Sequence, residues 1–330
     1  MVRVVEQTLA SLEASGKLEV VRILPPPKVK LRSWRQRVLP QEVAAQKLIG
    51  LHSFVSAFAW RGPGRRVHTL HELPWKHGVA ENAGWRHRFW AGFGRRRADA
   101  TITPTHHVAR DTGGRLFGEG GKLHVVPWGV DGVFSEFPPA GVVDEVVGGR
   151  YRLPENGYAL CLGANRAKKN VAAVLHGLAR LIERGGPALH LVISGKDTPD
   201  LRRDLGLVSK LGLNRHVSTP GEIEEQDLPS LLRLATVVPV LSHSEGFGLP
   251  VLEALACGTP VIVPRDSAQA EVAGDAGFVV DSEDPDAVAD ALERARQERE
   301  ELRYSLPMRS EAFRWQRTAE QIENLWESLG

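Results

Sequence analysis

Residues 244–253 read SEGFGLPVLE, and this stretch decides the fold. It places two carboxylates, Glu245 and Glu253, on either side of a glycine-rich loop that runs into an apolar helix. The run Val237–Leu241 predicts a buried strand before the loop, and Leu249–Cys257 predicts the helix after it. Open α/β sheets bind ligands at strand–loop–helix turns of this kind.

The loop has the composition of a binding site for an anion or a polyhydroxyl compound. Gly246 and Gly248 let a ligand approach the backbone, and the N–H groups at the start of the helix suit a phosphate. Glu245 precedes the helix and Glu253 lies about two turns inside it, so they can reach different parts of an elongated ligand such as a nucleotide sugar. An isolated Gly-x-Gly is more often a simple turn, in which case Glu253 is a solvated helix carboxylate.

Composition limits the classes of protein that fit. The chain has 330 residues, 42% of them hydrophobic, which predicts two domains. A net charge of +2 and the lack of a recognition motif argue against nucleic-acid binding. Cys161 and Cys257 lie in apolar patterns, which predicts reduced core thiols and a cytoplasmic setting. No apolar run approaches the ~20 residues of a membrane span.

Strands and helices alternate along the chain, which predicts an α/β protein with parallel sheets. We expect a helix from the first residues, a strand over Leu18–Leu24, a helix over Glu42–Leu51 and a strand over Arg66–His71. The stretch Trp128–Gly149 is rich in Gly, Pro and Val and predicts the crossing between domains. A second alternating series follows, as in a Rossmann-like domain.

Several motifs, in order, resemble those of retaining GT-B glycosyltransferases of family 4. The acidic-Gly-Phe-Gly loop with its second Glu continues into ALACGTPVI at 254–262, as it does in that family. LGANRAKKN at 162–170 is similar to the family's Gly…Lys-Asn segment, although Ala164 stands where many members have Arg. VHTLHELP at 67–74 is similar to the family's His-Asp-x-x-Pro, with Glu72 in place of Asp.

The resemblance implies a GT-B fold, in which two Rossmann-like domains face a cleft. It implies an acceptor-side domain over 1–135, a donor-binding domain for the nucleotide sugar over 136–310, and a closing helix over 311–330 that crosses back toward the first domain. Residues 2–9 look like the family's first helix without the strand and Gly-rich loop that normally precede it. Our hypothesis is that the start is assigned too late or the chain is shortened.

The resemblance also implies a reaction. A sugar moves from a nucleotide sugar, such as a GDP- or UDP-sugar, to a glycan or lipid-linked acceptor with retention of configuration, in polysaccharide or cell-envelope glycan synthesis. No metal and no other cofactor are expected. Two alternatives stay open: a nucleotide-sugar epimerase of related build, and a degenerate, non-catalytic subunit that only binds the nucleotide sugar.

Roles for the donor side follow from the same resemblance. Glu245 would bind sugar hydroxyls near the reacting carbon, Gly246, Phe247, Gly248 and Leu249 would offer backbone donors, and Glu253 would hold the ribose.

Basic residues and one histidine complete the expected site. Lys169 and Arg166 would neutralise the leaving diphosphate, whereas Lys168 is expected to be a solvated neighbour. His71 is expected at a strand end, where it could contact a sugar hydroxyl or the acceptor, or be a partly buried histidine satisfied by backbone.

Three further segments attract attention. Asp284-Pro285-Asp286 is formally an Asp-x-Asp but is predicted to cap a helix. His106-His107 is predicted to open a helix. The aromatic and basic segment Trp85–Arg97 fits either burial against the core of the first domain or peripheral contact with an anionic membrane at its inner face.

Overall fold

The computed structural model describes residues 2–81, 83–113, 122–154, 157–163, 166–187 and 189–330, so Ala164 and Asn165 of the LGANRAKKN motif lie outside the described residues. The chain forms two compact units. The N-terminal unit comprises Met1–Gly129 and Arg314–Gly330, and the C-terminal unit comprises Val130–Phe313. The domain boundaries expected from the sequence, after residues 135 and 310, stay predictions.

The N-terminal unit contains a parallel sheet. Its elements before the boundary are α1 (Val2–Ser15), α2 (Leu31–Ser33), α3 (Leu39–Ala45), β1 (Gly50–Ser53), β2 (Arg65–Thr69), α4 (Trp85–Arg97), β3 (Ala100–Thr103), α5 (His106–Asp111) and β4 (Leu123–Val125). The four strands pair in chain order, each parallel to the next. Every residue of β3 is buried, as expected for an inner strand of a parallel sheet.

Two elements of this unit differ from the sequence expectation. Leu18–Leu24 forms no strand; with Leu48–His52 it lines a cavity of about 300 Å³ next to α1. Its alternating apolar pattern reflects half-burial and not pairing with a neighbouring strand. The helix expected over Glu42–Leu51 ends at Ala45, because Lys47 adopts a left-handed φ of 52°, and β1 begins at Gly50.

The C-terminal unit alternates between helices and strands up to its last two helices. Its elements are α6 (Asp144–Arg150), β5 (Tyr158–Cys161), α7 (Val171–Glu183), β6 (His190–Ser194), α8 (Pro199–Lys210), β7 (Val217–Gly221), α9 (Leu228–Leu234), β8 (Val238–Pro239), α10 (Leu249–Ala256), β9 (Val261–Pro264), α11 (Ala268–Ala273), β10 (Gly277–Val280), α12 (Pro285–Leu302) and α13 (Leu306–Ser310). The stretch 128–149, predicted to be the crossing between domains, contains most of α6.

The strands of this unit are arranged in the Rossmann order. One set runs β5-β6-β7 and the other β10-β9-β8. They meet where Ala159 of β5 bridges Val237 in parallel and the N–H of Leu160 donates to the carbonyl of Val237 at 2.9 Å. The combined order, β7-β6-β5-β8-β9-β10, reverses its direction between β5 and β8. This is the topological switch point at which doubly wound sheets bind ligands.

The last helix, α14 (Trp315–Leu329), belongs to the N-terminal unit. It packs against α1, and the Thr318 hydroxyl donates to the carbonyl of Pro127 at 2.7 Å. Within the described residues, no helix has both the length and the apolar character needed to cross a membrane. Cys161 and Cys257 are free and buried, as predicted, and burial raises the pKa of each thiol to about 12.

Candidate functional site

The switch point of the C-terminal unit is flanked by the two motifs that the sequence singled out. The loop after β5 leads through the 3-10 turn Ala167–Lys169 into α7. The loop after β8 carries Glu245 and leads into α10. The N–H of His243 donates to the carbonyl of Lys168 at 2.9 Å, which fixes one loop against the other. The fold therefore brings together residues that are far apart in the sequence.

An ion pair joins the two loops. Lys169 Nζ lies 2.8 Å from Glu245 Oε1, and both side chains are mostly buried. Burial of the Glu245 carboxyl opposes its ionisation, but the charges of Lys169 and then Lys168 outweigh this and lower its pKa. The carboxylate is thus ionised at neutral pH. Glu245 also stabilises Lys169, because the dipole of a helix disfavours a cation near the start of that helix unless an anion is present.

Lys168 differs from the sequence expectation. It was expected to be a solvated neighbour, but its side chain is only 6% exposed. The reason is that the 3-10 turn Ala167–Lys169 packs against the loop after β8, so that the two consecutive lysines both act on Glu245. Arg166, by contrast, lies exposed at the start of the same turn.

The start of α10 has the geometry expected of an anion-binding turn. Gly248 is its N-cap residue with φ of 98° and ψ of 55°, a backbone conformation that residues other than glycine rarely adopt. Among the described residues, no side chain caps the helix there. A Cβ on Gly248 would lie 3.3 Å from Cγ of Gln269. Because no side chain takes the cap position, the start of the helix can receive the anionic part of a ligand.

Gln269 supports this loop, and the sequence reasoning missed it. It is 1% exposed, and its Nε2 donates to the carbonyl of Ser242 at 3.1 Å. Gln269 follows the Ser267 cap of α11 by two positions, and no nearby sequence pattern marks it as a buried amide, because its hydrogen-bond partner lies in another loop. Only the strand order places the two loops side by side.

Glu253 lies on α10 with 4% of its surface exposed. The simpler alternative, a solvated helix carboxylate, is therefore wrong. A buried carboxylate is costly unless charges or hydrogen bonds compensate it.

His71 lies at the carboxyl end of β2 in the N-terminal unit, as expected. Its Nε2 donates to the carbonyl of Phe54 at 2.8 Å, and its ring lies 5.7 Å from that of Trp128. Burial lowers its pKa, so the ring is neutral at pH 7. Nδ1 of this tautomer can accept a hydrogen bond.

The helix α4 has two different faces. Trp90 and Phe93 pack against Trp60, with ring centroids 5.6 and 5.1 Å apart. Trp85 and Phe89, in contrast, are 73% and 45% exposed. One side of the helix therefore packs within the N-terminal unit, and contact of the other side with a membrane stays a prediction.

Asp284 caps α12, as predicted: its side chain accepts a hydrogen bond from the N–H of Asp286 at 2.9 Å. Asp286 pairs with Arg180 and Arg184. His106 opens α5, also as predicted.

Two family models match the chain. Residues 6–132 match Glycosyltransferase Family 4, and residues 151–307 match Glycosyl transferases group 1. The first match lies almost entirely in the N-terminal unit, and the second lies in the C-terminal unit and includes the switch-point loops.

Curated relatives match over part of their length. The O-antigen chain mannosyltransferase B of Escherichia coli is 34% identical over 140 residues, 42% of this chain and 37% of the relative. A D-inositol 3-phosphate glycosyltransferase of Corynebacterium jeikeium is 33% identical over 180 residues, 51% of this chain and 42% of the relative. The chain thus aligns with less than half the length of these relatives.

Solved structures share the fold. Sucrose-phosphate synthase from Thermosynechococcus elongatus superposes with a TM-score of 0.74 at 22% identity, over 94% of this chain and 82% of the other. WaaG, a glycosyltransferase involved in lipopolysaccharide biosynthesis, gives 0.71 at 17% identity, over 98% and 95%. HepE of Anabaena in complex with UDP and glucose gives 0.67 at 18%, over 80% and 72%. The expected fold class is confirmed.

Proposed function

Because the two family matches together support a GT-B glycosyltransferase of the family 4 type, we propose that this chain transfers a hexose from a nucleotide sugar to a glycan or lipid-linked acceptor. The reaction proceeds with retention of configuration and without a metal at the donor. The relatives that it matches include a mannosyltransferase for O-antigen chains, which favours a role in polysaccharide or cell-envelope glycan synthesis.

The observation that carries the proposal is the Lys169–Glu245 pair at the switch point. Departure of a nucleoside diphosphate builds negative charge, and a cation held in place beforehand stabilises it. Lys169 supplies that cation, and Arg166 at the exposed start of the turn adds a second. Glu245, ionised and aligned by Lys169, accepts hydrogen bonds from hydroxyls of the transferred sugar.

The rest of the donor binds along α10. The N–H groups at the start of the helix, from Gly246 to Leu249, face the diphosphate, where the helix dipole favours negative charge. Glu253, further along the helix, accepts hydrogen bonds from the ribose. The donor is a UDP- or GDP-sugar, and because HepE of Anabaena was solved in complex with UDP and glucose, UDP-glucose is the first donor to test.

The acceptor binds to the N-terminal unit, at the carboxyl ends of its strands. Neutral His71 lies at that edge, and its Nδ1 accepts a hydrogen bond from an acceptor or sugar hydroxyl. The exposed face of α4, with Trp85, Phe89 and neighbouring arginines, rests on an anionic bilayer that carries a lipid-linked acceptor, at the cytoplasmic side.

The test of transfer is a panel of UDP- and GDP-sugars incubated with the full chain and candidate acceptors, while release of the nucleoside diphosphate is followed by NMR. We expect release that depends on the acceptor and an anomeric product signal with the donor's configuration. Glu253→Gln, which keeps the volume of the buried side chain, should raise KM for the donor. Conversion of the nucleotide sugar without an acceptor would mean an epimerase instead, and binding without any turnover would mean a binding subunit.

Membrane contact is tested separately by sedimentation with vesicles of phosphatidylcholine, with and without phosphatidylglycerol. We expect binding only to the anionic vesicles, and weaker binding by Trp85→Ser. Equal sedimentation of Trp85→Ser and the wild-type chain would show that the exposed face of α4 does not contact the membrane.

A further inference from the structure

Three side chains with metal-binding chemistry meet at one edge of the N-terminal sheet. His77 ends the 3-10 turn that follows β2, and His107 and Asp111 lie on α5, which follows β3. The spacing of four residues puts His107 and Asp111 on one face of that helix. Among the residues that the structure describes, this is the one group of three potential ligands whose donor atoms all lie within 4.8 Å of one another.

The donor atoms converge on a common point. Nε2 of His77 lies 2.6 Å and Nε2 of His107 3.9 Å from the same oxygen, Oδ2 of Asp111. The two imidazole rings are stacked with centroids 5.2 Å apart and planes 24° from parallel. All three side chains are between 13% and 26% exposed, so the group is sheltered but open on one side.

These spacings suit a small divalent cation. Zinc binds histidine nitrogen and carboxylate oxygen at about 2.0–2.2 Å, so two ligand atoms on a tetrahedral zinc are about 3.3 Å apart. The distances of 2.6 and 3.9 Å bracket that separation, and small side-chain rotations would equalise them. Two imidazoles and one carboxylate also form a ligand set that zinc commonly uses.

We propose that His77, His107 and Asp111 bind a divalent transition-metal ion, with zinc as the best fit. Three protein ligands leave a fourth position for water or for an oxygen of a bound compound. The ion ties the turn after β2 to α5, and so it fixes two connections at the carboxyl edge of the sheet, where α/β domains take their ligands. This metal site is distinct from the proposed donor-binding residues, all of which lie in the C-terminal unit.

The simpler alternative is a hydrogen bond between His77 and Asp111 with His107 stacked beside it. That arrangement needs no ion, and it predicts no selective metal affinity. The two alternatives differ in what His107 does, because only the metal site needs its Nε2 as a ligand.

The test uses the full chain, stripped with a chelator and titrated with Co²⁺ and then with Zn²⁺. We expect one Co²⁺ per chain with the visible absorption bands of a tetrahedral ion, and displacement of those bands by Zn²⁺. Loss of a residue that only hydrogen-bonds to a metal ligand already costs about 10- to 100-fold in metal affinity, so His107→Ala should lose more than about 100-fold. His106→Ala, at the exposed neighbouring position, should bind as the wild-type chain does.

Thermal unfolding shows whether the variants are folded. Without metal, His107→Ala and the wild-type chain should have similar midpoints, and Zn²⁺ should raise the midpoint only where all three ligands are present. If the wild-type chain gives no tetrahedral cobalt bands, or if His107→Ala binds Co²⁺ equally well, the hydrogen-bonded arrangement is correct and the metal site is wrong. Neither readout depends on sugar transfer.

Discussion

The two units accommodate buried polar groups around their parallel sheets in different ways. In the C-terminal unit the switch point brings charged loops together, and the Lys169–Glu245 pair keeps a buried carboxylate ionised. In the N-terminal unit the strands follow chain order, and buried histidines of the sheet are neutral. His68 is fully buried, with its Nε2 2.9 Å from the Thr101 hydroxyl. One unit stabilises buried charge and the other excludes it from its sheet.

The distribution of tryptophan and tyrosine lets unfolding of the N-terminal unit be measured by fluorescence. All eight tryptophans lie in the N-terminal unit, and all three tyrosines lie in the C-terminal unit. Tryptophan fluorescence therefore reports on the N-terminal unit alone.

The largest expected effect concerns Glu245. Glu245→Gln keeps the shape but removes the charge that aligns Lys169, and loss of a preorganised electrostatic contact costs about 10²–10³-fold in turnover. We expect a loss of about 100-fold or more in kcat/KM for the donor. Glu222→Gln, an exposed carboxylate of the same unit, should leave it unchanged. An unchanged kcat/KM in Glu245→Gln would contradict the assigned role of Glu245.

Acid should destabilise the N-terminal unit first. Burial lowers the pKa of His68 from 6.5 to about 4. Between these values the unfolded chain binds a proton that the folded chain does not, so stability falls as the pH drops through this window. His68 alone contributes a loss of about 3 kcal/mol by pH 4.

The check is urea unfolding followed by tryptophan fluorescence at pH 7 and pH 4.5. His68→Gln should flatten the dependence on pH, whereas His176→Gln, at an exposed position of the C-terminal unit, should not. A wild-type midpoint that does not change between the two pH values would show that His68 is not a buried neutral group.

Two glycines of α4 give a matched pair. A Cβ on Gly94 would lie 2.4 Å from Cε1 of His68, whereas a Cβ on Gly92 would meet nothing within 4 Å. We expect Gly94→Ala to destabilise the N-terminal unit by about 1–3 kcal/mol through overpacking. Gly92→Ala should stabilise it by about 0.5–1 kcal/mol. Equal effects, measured by tryptophan fluorescence in urea, would mean that α4 does not approach β2 as closely as described.

The smallest effect concerns the cap of α12. Asp284→Ala should destabilise the C-terminal unit by about 1 kcal/mol, and Asp284→Asn should preserve most of the cap. Circular dichroism during thermal unfolding measures the change in the midpoint. A loss as large in Asp284→Asn as in Asp284→Ala would assign the effect to the charge at the helix start instead.

The sequence predicts the C-terminal unit better than the N-terminal one, and the physical reason lies in the range of the signals. Strands such as Tyr158–Cys161 are short apolar runs between turns, and the motif around Glu245 is continuous in the sequence. In the N-terminal unit, Leu18–Leu24 has the pattern of a strand but forms no ladder. An alternating apolar pattern indicates that one face of a segment is buried, but it does not indicate whether a strand or another element packs beside that segment.

Contacts between distant segments account for what the sequence could not supply. Burial of Lys168 depends on how one loop packs against another, and Gln269 meets Ser242 only through the strand order. His77 is similarly far along the chain from His107 and Asp111, so no ligand spacing marks the cluster. The roles of Glu245, Glu253, Lys169, Arg166 and His71 stay predictions until binding and turnover are measured.

The most direct measurement is calorimetric titration of UDP-glucose and GDP-mannose into three proteins: the wild-type chain, Lys169→Ala and Lys196→Ala. A charge-assisted hydrogen bond contributes about 1.5–3 kcal/mol, so we predict that the wild-type chain binds one of the two donors about 10- to 100-fold more tightly than Lys169→Ala does. Lys196→Ala, which changes an exposed lysine of the same unit, should match the wild-type chain. Equal affinity of Lys169→Ala and the wild-type chain would contradict the assignment of the donor site to the switch point.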